Sequence, residues 1–255
     1  MTIAPVGHGP TVLGAPSPDC DRSEENRREL VQALGHDLRG PCRNISVLVD
    51  LLGAETVDPT SEVSRLMGYL EDAAHSLDVR LRGVVDLVSV PPSPGRFEPV
   101  DLGRVAERVR TDRAELIRSI GAEVSVGALP AVEGEESQLH RVVDELVANA
   151  LIYHEPGRGP RVEIAGSQSA DEVIVTVTDD GIGFEGRLHD AVFLPLRQLD
   201  PSHPHQGPGV GLSVARKIIV GHGGRIWSEA SPGSGAVFGF SLPAPMSAAP
   251  SSRNR

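Results

Sequence analysis

Apolar residues recur at three-, four- and seven-residue intervals in two stretches near the start of the chain. Leu30, Leu34, Leu38, Ile45, Leu48 and Leu52 form one stripe, and Val63, Leu66, Leu70, Ala73, Leu77, Leu81, Val84 and Val88 form a second. Such spacing places each set on one face of an α-helix. Pro41 removes a backbone hydrogen bond inside the first stripe and predicts a kink there. The break at residues 53–60 makes the pair an antiparallel αα-hairpin. Two helices of this length cannot cover both stripes alone. Pairing two hairpins in a four-helix bundle does so, and a homodimer through the hairpin is the physical expectation.

The pattern changes after Pro91-Pro92-Ser93-Pro94-Gly95, where prolines forbid helix continuation. A helix is predicted over 100–119, with Asp101 as its N-cap. A strand at 122–126 and a helix over 135–153 follow. Alternation of polar and apolar residues predicts half-buried strands at 161–165 and 172–178. A helix over 208–221 has Pro208 near its first position, and strands at 224–228 and 236–242 close the sheet. Strands interleaved with helices make a two-layer α/β sandwich. The expected fold class is therefore α plus α/β. Its parts are a disordered tail (1–22), a hairpin (23–91), a linker (92–96), an α/β domain (97–243) and a second tail (244–255).

Composition narrows the function. The formal net charge of −11 argues against a nucleic-acid partner, whose phosphates require a basic face. The two cysteines, Cys20 and Cys42, make no disulfide framework and suit a reducing compartment. No apolar run approaches the roughly 20 residues that span a bilayer, and the N-terminus has no secretory pattern. A cytoplasmic protein without membrane insertion is expected.

Four segments carry candidate chemistry. Asp179-Asp180-Gly181-Ile182-Gly183-Phe184 follows a strand and ends it abruptly. Its two glycines let the backbone turn and a ligand come close, and its acid is placed to accept from an exocyclic amine. Alone it also fits an ordinary Asp-Gly turn. Gly207-Pro208-Gly209-Val210-Gly211-Leu212 leads into a helix, where backbone amides and the helix dipole favour phosphate. Its Gly-x-Gly-x-Gly spacing and late position fit a dinucleotide-binding crossover poorly. Glu145 and Asn149 lie four apart on one helix face. Two such oxygen-bearing groups suit a hydrated Mg²⁺, although a polar helix edge reads the same way. His36-Asp37 pairs a nucleophile with a neighbouring base; the other histidines read as ordinary surface or loop residues.

Along the chain the segments run from the His36 segment through the Asn149 helix and the Asp179 turn to the Gly207 segment, and in that order they resemble the boxes of the sensor histidine kinases of two-component signalling. His36-Asp37-Leu38-Arg39-Gly40-Pro41 resembles the H-box, residues 145–153 the N-box, residues 179–183 the G1 box and residues 207–212 the G2 box. Phe193-Leu194-Pro195-Leu196 is similar to the F-box. Residues 231–238 and His222-Gly223-Gly224-Arg225-Ile226-Trp227 also have the family's look, and the wording is closest to the bacteriophytochrome-like branch. The likeness covers roughly residues 26–243. It implies an ATP- and Mg²⁺-dependent enzyme that phosphorylates His36 with Asp37 as general base. It assigns Mg²⁺ to Asn149 with Glu145 assisting, and the adenine amine to Asp179. Tyr153, Gly181, Gly183, Gly207, Gly209, Gly211 and Leu212 are expected around the nucleotide, under a lid at 184–210. Arg39 or Lys217 would steady phosphate charge. A response-regulator receiver domain would accept the phosphoryl group.

Several positions depart from the family pattern. Gly40 stands where Thr or Asn commonly positions a water, which implies weak phosphatase activity. Ile152 replaces a frequent Lys, Pro208 a frequent Thr or Ser, and Leu196 the second F-box Phe. Only about 25 residues precede the hairpin, so a separate sensor or input protein is expected. The rival readings are a phosphotransfer adaptor without ATP chemistry and a relative of the gyrase or mismatch-repair ATPases.

Overall fold

The computed structural model describes residues 45, 47, 62–91, 95–197 and 209–245. The H-box, Gly207, Pro208, the first predicted tail and residues 246–255 of the second lie outside them. The second hairpin helix is α1 (Glu62–Ser89), 28 residues long. Along it Leu66, Leu70 and Leu77 are 54%, 50% and 53% exposed, whereas Val90, just past its end, is 5% exposed and joins the core. The apolar stripe is thus uncovered over its first half and packed at its last turn.

The α/β domain opens with β1 (Glu98–Asp101) and continues through α2 (Leu102–Asp112), α3 (Ala114–Ile120), β2 (Glu123–Val126) and β3 (Ala131–Gly134). It then runs through α4 (Glu136–Ile152), β4 (Arg161–Gln168), β5 (Glu172–Asp179), α5 (Gly211–Gly221), β6 (Arg225–Ala230) and β7 (Ala236–Pro243). Five strands form one sheet in the order β2-β4-β5-β7-β6, and β1 pairs with β3 apart from it. β2 runs parallel to β4, and the other neighbours of the large sheet are antiparallel. α2, α4 and α5 pack together over one face.

The core follows from the two periods. Leu139, Val142, Val143, Leu146, Val147 and Ala150 repeat at helical spacing on α4, and all are buried. Val173, Val175 and Val177 alternate on β5 and are fully buried beneath them. Each buried Val or Leu contributes about 1.5–3 kcal/mol, so this helix–sheet contact fixes the position of everything at the ends of α4 and β5.

The helix predicted over 100–119 is three elements. Residues 98–101 pair antiparallel with 131–134, and Asp101 ends that strand and caps α2, its Oδ1 accepting from Arg104 N at 3.1 Å. The helix then breaks at Arg113, whose guanidinium reaches across to Asp144 with two bonds of 2.7 Å. β3 was not expected from the sequence. The last helix begins at Gly211 rather than at residue 208.

Candidate functional site

The ends of α4, β5 and α5 enclose a cavity of about 600 Å³. Asp179 terminates β5 at one side of it. This carboxylate is 7% exposed, and its Oδ1 accepts from Gly181 N at 2.9 Å and Ala236 N at 3.2 Å. Both bonds fall on one oxygen, which leaves Oδ2 as the acceptor for a ligand. Burial pushes the Asp179 carboxyl up to about 6 from 3.8; the two amides oppose that rise and neighbouring Asp180 adds to it.

The glycines around Asp179 permit close backbone contacts. A Cβ at Gly181 would overlap the carbonyl oxygen of Tyr153, and Ile182 N donates to that same carbonyl at 3.1 Å. Gly183 has φ +61°, and a Cβ there would overlap Ser231 O. Gly235, with φ +77°, leaves no room for a Cβ against Asp179 O. The turn after β5 is therefore seated on the end of α4 and on the 231–235 loop, and Asp179 is held from both sides.

Glu145, Asn149 and Tyr153 line the opposite wall, one turn apart along α4. The Glu145 carboxylate lies where a Cβ of Gly211 would be. The first turn of α5 therefore meets the acid of α4 directly, and a side chain at 211 would require the Glu145 carboxylate to shift. Burial raises the Glu145 carboxyl above its ordinary range, with Asp144 and Asp86 adding to the rise, while Arg141 and Arg113 oppose it. Gly209, Val210, Gly211 and Leu212 complete this end of the cavity.

The structure thus brings together Glu145, Asn149, Tyr153, Asp179, Gly183, Gly209, Gly211 and Leu212, with Gly181 beneath the turn. Lys217 does not join them. Its Nζ donates to the carbonyl of Leu87 at 3.0 Å, away from the cavity. The first part of the expected lid is wall: Val192 and Phe193 are 7% and 4% exposed. Phe184 and Phe193 both pack on Phe238, at 6.1 and 6.3 Å between ring centroids.

Sequence reasoning missed Asp86, Arg141 and Ala236, which also line the cavity. Arg141 lies four residues before Glu145 and eight before Asn149 on the same helix, a spacing that offered a local signal. Among the described residues, no group of three or more His, Cys, Asp or Glu side chains could hold a metal unaided. The oxygens of Asn149 and Glu145 nevertheless suit Mg²⁺, which draws its remaining ligands from water and phosphate. No described helix is long and apolar enough to cross a membrane.

Residues 134–246 match the family described as histidine kinase-, DNA gyrase B-, and HSP90-like ATPases. The phytochrome-like protein Cph1 of Synechocystis sp. is 27% identical over 224 residues, covering 88% of this chain and 30% of that relative. The chain therefore spans less than a third of that relative's length. The mycobacterial sensor histidine kinase MprB is 29% identical with a TM-score of 0.51, over 59% of this chain and 99% of that one. Full-length ShkA, solved in complex with AMPPNP, has a TM-score of 0.62 at 23% identity, over 87% of this chain and 47% of that one, a likeness of fold.

Proposed function

From the match of residues 134–246 to the histidine kinase-, DNA gyrase B-, and HSP90-like ATPases, we propose that this chain is the core of a two-component histidine kinase. It binds ATP in the cavity between α4, the Asp179–Phe184 turn and α5, and it transfers the γ-phosphoryl group to His36. The observation that carries this reading is the buried Asp179 carboxylate. It is tied through Oδ1 and open at Oδ2, at one end of a cavity whose other end is a glycine-rich helix start.

Asp179 accepts the adenine amine, and the turn at Gly181 and Gly183 lets the base lie close to backbone. Asn149, with Glu145 beside it, would hold Mg²⁺, which when bound neutralises phosphate charge. The first turn of α5 faces the phosphates with its free amides. The imidazole of His36 attacks the γ-phosphorus as Asp37 takes the ring proton. The N–P bond forms, the bond to the β-phosphate oxygen breaks, and ADP leaves. Alignment and charge neutralisation suffice for such a transfer. The phosphoryl group then passes to an aspartate of a response-regulator receiver domain. The exposed first half of the α1 stripe supports a homodimer through the hairpin.

Incubation of the purified chain with Mg²⁺ and γ-labelled ATP tests this. Acid-labile, base-stable label is expected on the parent and none on His36→Gln. Absence of label with ATP still bound would refute autonomous kinase activity. Absence of both label and nucleotide binding would favour a phosphotransfer adaptor.

A further inference from the structure

One wall residue of the cavity comes from outside the ATPase domain. Asp86 lies on the last turns of α1, yet it lines the cavity together with Arg141 and Glu145 of α4. Arg141 Nη2 is 3.5 Å from Asp86 Oδ2, and Arg141 Nε is 3.8 Å from Glu145 Oε1. The next acid along α4, Asp144, is already held by Arg113. Arg141 is thus shared between the Asp86 and Glu145 carboxylates at the edge of the cavity, with Arg113 also acting on Glu145.

These separations exceed the roughly 2.7–2.9 Å of a strong charge-assisted bond. Arg141 is 35% exposed and Asp86 60%, so the pair is loose and open to exchange. A guanidinium binds phosphate oxygens in the same forked geometry that it offers a carboxylate. The two carboxylates differ in their freedom. Glu145 is fixed on α4 against Gly211. Asp86 stands on α1, which is also tied to the domain by the Lys217–Leu87 bond and the packing of Leu87 and Val90. A polyphosphate entering this end of the cavity meets Asp86 as a like charge and Arg141 as its only nearby counter-charge on α4.

We propose that Arg141 is a phosphate-binding residue of the nucleotide site and that Asp86 occupies it in the nucleotide-free state. A nucleoside di- or triphosphate then takes Arg141 from Asp86 and loosens α1 from the ATPase domain. The inference rests on the nucleotide reading of the cavity. It links occupancy of that cavity to the freedom of α1.

The test is equilibrium binding of ATP and of adenosine at one fixed salt concentration, using the full chain. The parent, Asp86→Asn, Arg141→Gln and the double variant are compared. Asp86→Asn is expected to tighten ATP by about 3- to 10-fold, since it removes the carboxylate that competes with phosphate for Arg141. Arg141→Gln is expected to weaken ATP by about 10- to 100-fold. The double variant should follow Arg141→Gln within about 2-fold, because the effect of Asp86 runs through Arg141. Adenosine, lacking phosphate, should bind all four alike. Hydrogen exchange in the last turn of α1 should quicken with ATP and not with adenosine. Unchanged or weakened ATP binding by Asp86→Asn overturns the proposal, as does an Arg141→Gln variant that binds ATP like the parent. In those cases adenosine and ATP still bind, so the nucleotide reading survives. A parent that binds neither ligand refutes that reading and this inference with it.

Discussion

Replacing Asp179 with Asn is expected to weaken ATP binding by about 100-fold or more while leaving the fold at least as stable at pH 8. The asparagine oxygen can still accept from Gly181 N and Ala236 N, which bond to Oδ1 in the parent. Its amide nitrogen then faces the cavity as a donor, opposite the adenine amine, which is also a donor. The stability effect has the opposite sign. The carboxyl titrates at about 6 in the fold against 3.8 ordinarily, so the folded state binds protons more tightly than the unfolded. Stability contributed by this group is present below about pH 4, declines as pH rises through that window and is lost above 6. At about 1.4 kcal/mol per unit, ionised Asp179 costs the fold about 3 kcal/mol, a cost that asparagine removes. ATP binding to the parent should run the other way, weakening as pH falls below 6 because the ligand requires the ionised acceptor. Calorimetric titration and thermal unfolding at pH 5 and pH 8 measure both effects. Parent-like ATP affinity in Asp179→Asn would remove the adenine assignment.

Gly183→Ala is expected to destabilise the domain by about 2–5 kcal/mol. At φ +61° an L side chain costs about 1–2 kcal/mol. Its Cβ would also overlap Ser231 O and come within 2.8 Å of Gly235 O. Both are backbone atoms that cannot swing aside, and forced overpacking adds about 1–3 kcal/mol. The turn can relieve the overlap only by leaving the 231–235 loop, and Ala236 N would leave Asp179 with it. Gly233→Ala is the control. Its φ is +72° but a Cβ there meets nothing within 4 Å, so only the conformational cost of about 1–2 kcal/mol applies. Denaturant midpoints compare the two. Equal midpoints would mean that the close packing at Gly183 does not limit the fold.

The strongest periods in the sequence gave the most faithful elements. α4 and β5 carry long helical and alternating patterns, and both appear within a residue or two of their expected bounds. β1 and β3 are four residues each, too short for a period to emerge, and their pairing joins positions 30 to 36 apart. The break at Arg113 is likewise set by a distant partner, Asp144. At the site, Asp179 and the glycines were legible because a strand-ending acid and a glycine-rich helix start leave local marks. Arg141 and Asp86 were not, since their meaning lies in a contact between elements 55 residues apart. Lys217 was misread for the same reason: its helix faces were visible, but its partner on α1 was not. His36 and Asp37 lie outside the described residues, and their roles rest on the family resemblance.

The most direct measurement is a crystal structure of the chain with Mg²⁺ and a non-hydrolysable ATP analogue. The account predicts the adenine amine within about 3 Å of Asp179 Oδ2, with the phosphates between Asn149 and the first turn of α5. A nucleotide bound elsewhere, or an adenine seated without contact to Asp179, would contradict it.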